Sequence, residues 1–161
     1  MVSRSTVDLS GYPDLVVIYL GMKAHTLSGF GTLLRFGPAI ARAVEPKPDG
    51  LLHTDLNILF SLFPLHIGFR QYWRDFPALE KWTRELPHQQ WWKDFLKDPK
   101  GTGFWHETYF VRGGMEAIYL DLPSAPGFGA FAPVSSAKGG MFTARRRLGV
   151  AGEGPAAPVE E

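Results

Sequence analysis

The sequence predicts an α+β fold in which an antiparallel sheet carries its helices on one face. Three observations lead there. Strand-like and helix-like patterns follow one another in the order β-α-β-β-α-α-β-β, which suits a segregated layer architecture. Two apolar runs meet at Gly113-Gly114, a hairpin signal. Aromatic residues make up 14% of the chain, which suits a sheet whose second face is covered by another copy in an isologous homodimer.

The elements follow in order. "DLVVIYLGM" (Asp14–Met22) is an apolar, β-branched run of the kind buried on both faces. In "TLSGFGTLLRFGPAIARAV", Leu33, Leu34, Phe36, Ile40 and Val44 recur at helical spacing, and Gly37-Pro38 is expected to bend or restart the helix. "EPKPDG" (Glu45–Gly50) is a turn, after which "LLHTDLNI" and "LHIGFRQYW" read as strands, with Pro64 where the second can begin. Asp75 reads as the N-cap of a helix with Phe76, Leu79, Trp82 and Leu86 on one face. Pro87 restarts a short helix, "HQQWWKDFLKD", whose apolar side is Trp91, Trp92, Phe95 and Leu96. "GFWHETYFVRGGMEAIYLDL" supplies the last two strands.

From Pro123 onward twelve of 39 residues are Gly or Pro, which predicts an extended arm with a disordered end, "AGEGPAAPVEE"; "MFTARRRLGV" within it is expected to dock. The chain of 161 residues thus divides into an N-terminal tail (1–11), one domain (12–122) and a C-terminal arm (123–161).

Composition removes several functions. A net charge of +1, with Arg145-Arg146-Arg147 as the only basic cluster, gives no footprint for nucleic acid. With no cysteine there is no disulfide, thiolate metal site or cysteine nucleophile. The most apolar segment, Leu51–Phe69, is interrupted by His53, Asp55, Asn57, Pro64 and His66, and falls short of the roughly 20 apolar residues that span a bilayer. With no signal-peptide core at the N-terminus, a soluble, cytoplasmic protein is expected. No pair of histidines has the HExxH arrangement or a carboxylate at facial-triad spacing, so no metal site is predicted, and phosphate-loop and GxSxG patterns are absent as well.

"VVIYLGMK", "FRQYWRDFPALEKWTREL-PHQQWWKDF" and "GFWHETYFVRGGMEAIYLDLP" resemble the fumagillin-pathway monooxygenase-like family, within the antibiotic-biosynthesis-monooxygenase superfamily of dimeric α+β barrels. The resemblance covers roughly Leu15 to Pro123 and is most specific at Gln71-Tyr72-Trp73-Arg74 and Trp105-His106-Glu107-Thr108-Tyr109; "LFSLFPLHIGF" departs from it. It implies a ferredoxin-like protomer, a homodimer and a pocket between sheet and helices. Some superfamily members oxidise aromatic or polyketide substrates without metal or cofactor. Others bind haem, among them haem-degrading oxygenases and aldoxime dehydratases.

The residues offer a short list for chemistry. Alternation along "GFWHETYFV" puts Phe104, His106, Thr108 and Phe110 on one face and Trp105, Glu107, Tyr109 and Val111 on the other. His106 is a candidate base or iron ligand, or a hydrogen-bonded core residue. Glu107 is a candidate acid of raised pKa, or the partner of Arg70 or Arg112. His88 shares a helical face with Trp91, Trp92 and Phe95 and could reach a substrate or a haem, or bond nearby backbone. His66, Gly68, Arg70 and Tyr72 share a face that is a pocket wall, a rim or a dimer contact; Arg70 could hold a carboxylate or propionate, or form an ion pair. His25 and His53 are expected to be solvated.

The resulting expectation is a homodimeric, monooxygenase-like enzyme acting on a hydrophobic small molecule. His106 and Glu107 are its catalytic candidates. Arg70, Tyr72, Trp73, His88, Trp91, Trp105 and Tyr109 are its substrate-binding candidates. No cofactor is the first expectation; haem on His106 or His88 is the alternative, and a non-catalytic binding dimer is the third reading.

Overall fold

The computed structural model describes residues 3–111, 114–142 and 144–147. The chain forms two units, one of Asp14–Phe110 and one of Met1–Pro13 with Val111–Glu161. The elements are β1 (Arg4–Val7), β2 (Val16–Ala24), α1 (Leu27–Val44), β3 (Leu51–Ser61), β4 (His66–Trp73), α2 (Phe76–Arg84), α3 (His88–Lys97), β5 (Thr102–Phe110), β6 (Tyr119–Leu120), β7 (Val134–Ser136) and α4 (Ala144–Arg147).

The unit Asp14–Phe110 is the predicted ferredoxin-like α+β layer. Its sheet runs β3-β4-β2-β5, each neighbouring pair antiparallel. Register is set along β2, where Leu20 faces Phe69 on one side and His106 on the other, and Ile18 faces Gln71 and Thr108. The Asp75 cap is the one the sequence indicates, and Thr26 is a second that the structure adds. The Asp75 carboxylate accepts from the Ala78 N–H at 2.8 Å and opens α2, and the Thr26 hydroxyl accepts from the Gly29 N–H at 3.1 Å and opens α1.

Helix α1 does not restart at Gly37-Pro38: it is one 18-residue helix with Pro38 inside. Pro38 removes a single backbone bond, and Leu33 and Val44, buried on either side of it, keep both halves packed. In β3 the register shifts between Asp55 and Ile58, where Asn57 adopts φ 61°, a bulge within the strand.

The hairpin expected about Gly113-Gly114 is not formed. β5 pairs with β2, and β6 pairs with β1 in the other unit. Glycine at a turn reports a chain reversal and says nothing of which strand each arm will pair with. Arg112 and Gly113 lie outside the described residues.

The second unit holds a small antiparallel sheet, β6-β1-β7. The four residues of β1 were too few to show a period in the sequence. In this unit the Arg147 guanidinium is buried, donating to Glu116 at 2.6 Å and to the Met141 carbonyl at 2.9 Å, which fixes part of the basic segment. The expected disordered end, residues 151–161, lies outside the described residues.

Between sheet and helices the core is one-ended. Val16, Ile18, Val44, Leu51, Trp73, Ala78 and Leu79 form the buried cluster, with Leu20 and Trp82 packed against it. No residue of α3 is buried. The layer is therefore filled where β2 begins and open where α3 crosses it.

Candidate functional site

The open end is a cavity of about 460 Å³. The sheet gives it Ile18, Leu20, Met22, Phe69 and Gln71, with Phe104, His106 and Thr108 from β5. The helices close it with Phe36 and Ile40, then Leu79, Trp82 and Thr83, then His88, Trp91, Trp92 and Phe95. A lobe of about 460 Å³ adjoins it beneath α1, sharing Leu20, Met22, Phe36, Ile40, Phe69 and Phe104 and adding Leu33, Leu34, Leu56, Asn57 and Ile67. The walls are aromatic and mutually braced. Phe104 sits edge-on to Trp92 at 5.7 Å and to Phe95 at 6.0 Å, and Phe36 is edge-on to Trp91 at 6.1 Å. Such a chamber suits an apolar guest.

The lining also carries Glu80, Arg84 and Gln89, and two histidines stand among its aromatic rings. His88 stands on the first turn of α3 with its ring 4.9 Å from that of Trp82. Its Nδ1 lies 3.0 Å from the Thr83 carbonyl. A carbonyl only accepts, so Nδ1 carries the hydrogen and, in the neutral ring, Nε2 carries the lone pair. Burial pushes the His88 pKa down; the Thr83 bond opposes this and the proximity of His106 adds to it. His88 is thus held neutral with one defined basic nitrogen. His106 faces the same cavity from β5 but is exposed, its ring 5.9 Å from Phe104.

Of the residues singled out from the sequence, the cavity gathers His88, Trp91 and His106. Trp73 is beneath it, 0% exposed in the core, where its Nε1–H donates to Gln71 Oε1 at 3.1 Å; it supports the floor and does not line it. Arg70, Tyr72, Trp105, Glu107 and Tyr109 project from the opposite face of the sheet, so they are corrected from pocket residues to residues of that second face. The reason is the two-residue period: each is one or three positions from a cavity-lining neighbour.

That second face has its own polar cluster. Arg70 donates to Asp55 Oδ2 through Nε at 2.9 Å and Nη2 at 2.7 Å, and through Nη1 to the Tyr19 hydroxyl at 2.6 Å. Its guanidinium carbon stands 5.3 Å from the Tyr19 ring centroid and 5.2 Å from that of Tyr72. His53 reaches Asp55 Oδ1 at 2.9 Å, so it is engaged and not merely solvated. Burial alone would raise the Asp55 pKa, but the Arg70 and His53 hydrogen bonds outweigh it and hold the carboxyl below its usual range. Arg70 is therefore a structural ion-pair residue whose partner is Asp55. Glu107 instead accepts from the Tyr109 hydroxyl, and Trp105 donates to His66 Nε2 at 2.8 Å.

The sequence reading missed Gln71, Trp82, Thr83 and Phe104 as lining residues. Gln71 had a signal: it is the polar member of the alternating set Ile67, Phe69, Gln71, Trp73. Among the described residues no group of three or more His, Cys, Asp or Glu could hold a metal ion, and no helix is long and apolar enough to cross a membrane.

A family model described as "Monooxygenase af470-like" matches residues 15–128. No curated protein matches the chain. Among solved structures, an aldoxime dehydratase (OxdRE) crystallised with butyraldoxime is similar with TM-score 0.69 and 23% identity, covering 91% of this chain and 42% of its own. A second aldoxime dehydratase gives 0.66 and 22%, covering 83% of this chain and 39% of its own. A Deinococcus radiodurans protein, provisionally named an antibiotic biosynthesis monooxygenase, gives 0.50 and 17%, covering 62% of this chain and 95% of its own. The chain spans about two fifths of the length of these dehydratases. At such identities the likeness is one of fold.

Proposed function

We propose a function from one premise: the chain belongs to the monooxygenase af470-like family. The protein is an oxygenase-type enzyme that takes a hydrophobic, electron-rich small molecule, aromatic, polyketide or terpenoid in kind, into the cavity between sheet and helices. It works without a cofactor. The observation that carries this reading is His88, a neutral imidazole of defined tautomer in an aromatic-walled chamber.

The chemistry follows from that group. His88 Nε2 removes a proton from an activated C–H or O–H of the substrate. The resulting carbanion or enolate gives its electrons to dioxygen, the co-reactant. Substrate–H and O₂ become substrate–OOH as the proton returns from His88 to the terminal peroxide oxygen; loss of water from a CH–OOH carbon leaves a carbonyl. The apolar walls orient the guest and keep water from the anion. The sequence ranks His106 first as base. Partial burial and the fixed tautomer rank His88 ahead of it, with His106 the second proton-transfer candidate at the exposed side. The test is oxygen consumption with a panel of naphthols and enolisable polyketide-type ketones. His88→Ala is expected to lower turnover by about 10²-fold or more with the circular dichroism unchanged. Full turnover in that variant removes the role, and saturable binding without product in the native protein favours a non-catalytic binder.

A haem-binding protein of the same fold is the second reading, and the same histidine favours it. A histidine that would hold haem iron commonly donates its other N–H to a carbonyl, as His88 does to Thr83, and Arg84, in the lining and paired with Glu80 at 2.5 Å, would have to give up that carboxylate to meet a propionate. Arg70, held by Asp55 on the other face, is not placed to meet one. Bound there, haem would supply redox or Lewis-acid chemistry at iron. A Soret band that weakens in His88→Ala supports this reading; a colourless protein that ignores added haem removes it. In either reading the protein acts in the cytoplasm, which cell fractionation tests, and as a homodimer joined through the second sheet face.

A further inference from the structure

We propose that Gln71 is the polar anchor of the cavity, its carboxamide donating to a single acceptor oxygen, carbonyl or phenolate, on an otherwise apolar substrate. Gln71 is 0% exposed and lies in the cavity floor, on the sheet face that also carries Ile18 and Thr108. Its Oε1 accepts from Trp73 Nε1–H at 3.1 Å, and this fixes which way the amide points, because the flipped amide would set donor against donor. The nitrogen is then left with no hydrogen-bond partner among the described residues. A buried amide donor without an acceptor is expensive, and a native fold that keeps one at a cavity wall has a use for it.

Its neighbourhood defines the ligand group. Its β2 partner is Ile18, and the cavity it lines is walled largely by hydrocarbon, Leu20, Phe69, Leu79 and Trp82 included, so a neutral donor meets a single oxygen on an otherwise apolar guest. Thr54, the β3 residue paired with Gln71 in the sheet, also has a buried hydroxyl without a partner but does not line the cavity, so the Gln71 amide is the unmet donor that the cavity meets. One such donor suits one ligand oxygen, and it favours the enolate or phenolate form, in which negative charge gathers on that oxygen. This inference rests on the oxygenase reading and narrows its substrate class to molecules with a carbonyl or hydroxyl at the buried end.

The probes are 1-tetralone and tetralin, matched in size and differing by one carbonyl. Titration of the full-length protein is expected to give a tetralone-to-tetralin affinity ratio that falls about tenfold in Gln71→Met, the effect of one hydrogen bond. Because that variant also takes an acceptor from Trp73, a measurement on the native protein stands beside it. The Gln71 side-chain amide resonances, assigned by ¹⁵N NMR, are expected to shift with tetralone and not with tetralin. Equal responses to both compounds, as when the Thr54 hydroxyl or a trapped water meets the amide, overturn the anchor and leave the apolar cavity standing. Failure of both compounds to bind overturns the cavity reading and the anchor together.

Discussion

A histidine's use depends on which nitrogen is free and at what pH, and His88 fixes both. Its Nδ1–H is spent on Thr83, and burial holds its pKa below the ordinary value of 6.5. The sign follows: the base is neutral and competent above the depressed pKa and is lost as pH falls through it. The kcat/KM profile is therefore expected to have an acid limb centred below 6.5, and that limb should vanish in His88→Ala. A limb at or above 6.5 would point to a group other than His88. Folding shares this dependence: the unfolded chain takes up a proton at His88 first, so stability declines as pH drops below 6.5 toward the folded value. Alternation in the sequence already placed His106 and Glu107 on different faces. It could not tell which face was the pocket, because both carry aromatic and polar residues; Arg70, Tyr72, Trp105 and Tyr109 were misassigned for that reason.

At the level of elements, local signals were legible and distant pairing was not. Asp75 announced α2 by its side chain and its place before an apolar helical face, and it caps the helix as expected. Asp75→Ala should cost about 1 kcal/mol in denaturant unfolding, within a range of roughly 0.5–2. A larger loss would mean that its contact with Arg74 Nε, at 2.9 Å and largely exposed, matters more than such pairs usually do. Gly113-Gly114 signalled a reversal, yet β6 pairs with β1, far away in sequence. The glycines of β2 and β4 carry a different message. A methyl group on Gly68 would sit 2.3 Å from the Leu20 carbonyl oxygen and 2.8 Å from Phe60, and one on Gly21 would sit 2.7 Å from Trp105 Nε1. They let aromatic side chains lie close over the second sheet face, a packing need that no turn rule reveals.

For the whole molecule, assembly is the first quantity to measure. Light scattering is expected to give about twice the 17.9 kDa chain mass. A monomer at micromolar concentration would separate this chain from the homodimer reading while leaving its fold intact. The ferredoxin-like layer and a pocket between sheet and helices were both implied by the family resemblance, whereas the residues that line the pocket were not, because an unfilled volume has no residue of its own to mark it. The asymmetry of the layer then bears on how the protein can change. Its buried cluster ends where α3 begins, and α3 contributes His88, Trp91, Trp92 and Phe95 to the chamber without burying a single residue. Substitutions along that helix can reshape the guest it accepts at little expense to folding, so descendants of this chain are free to drift in selectivity while their scaffold stays the same.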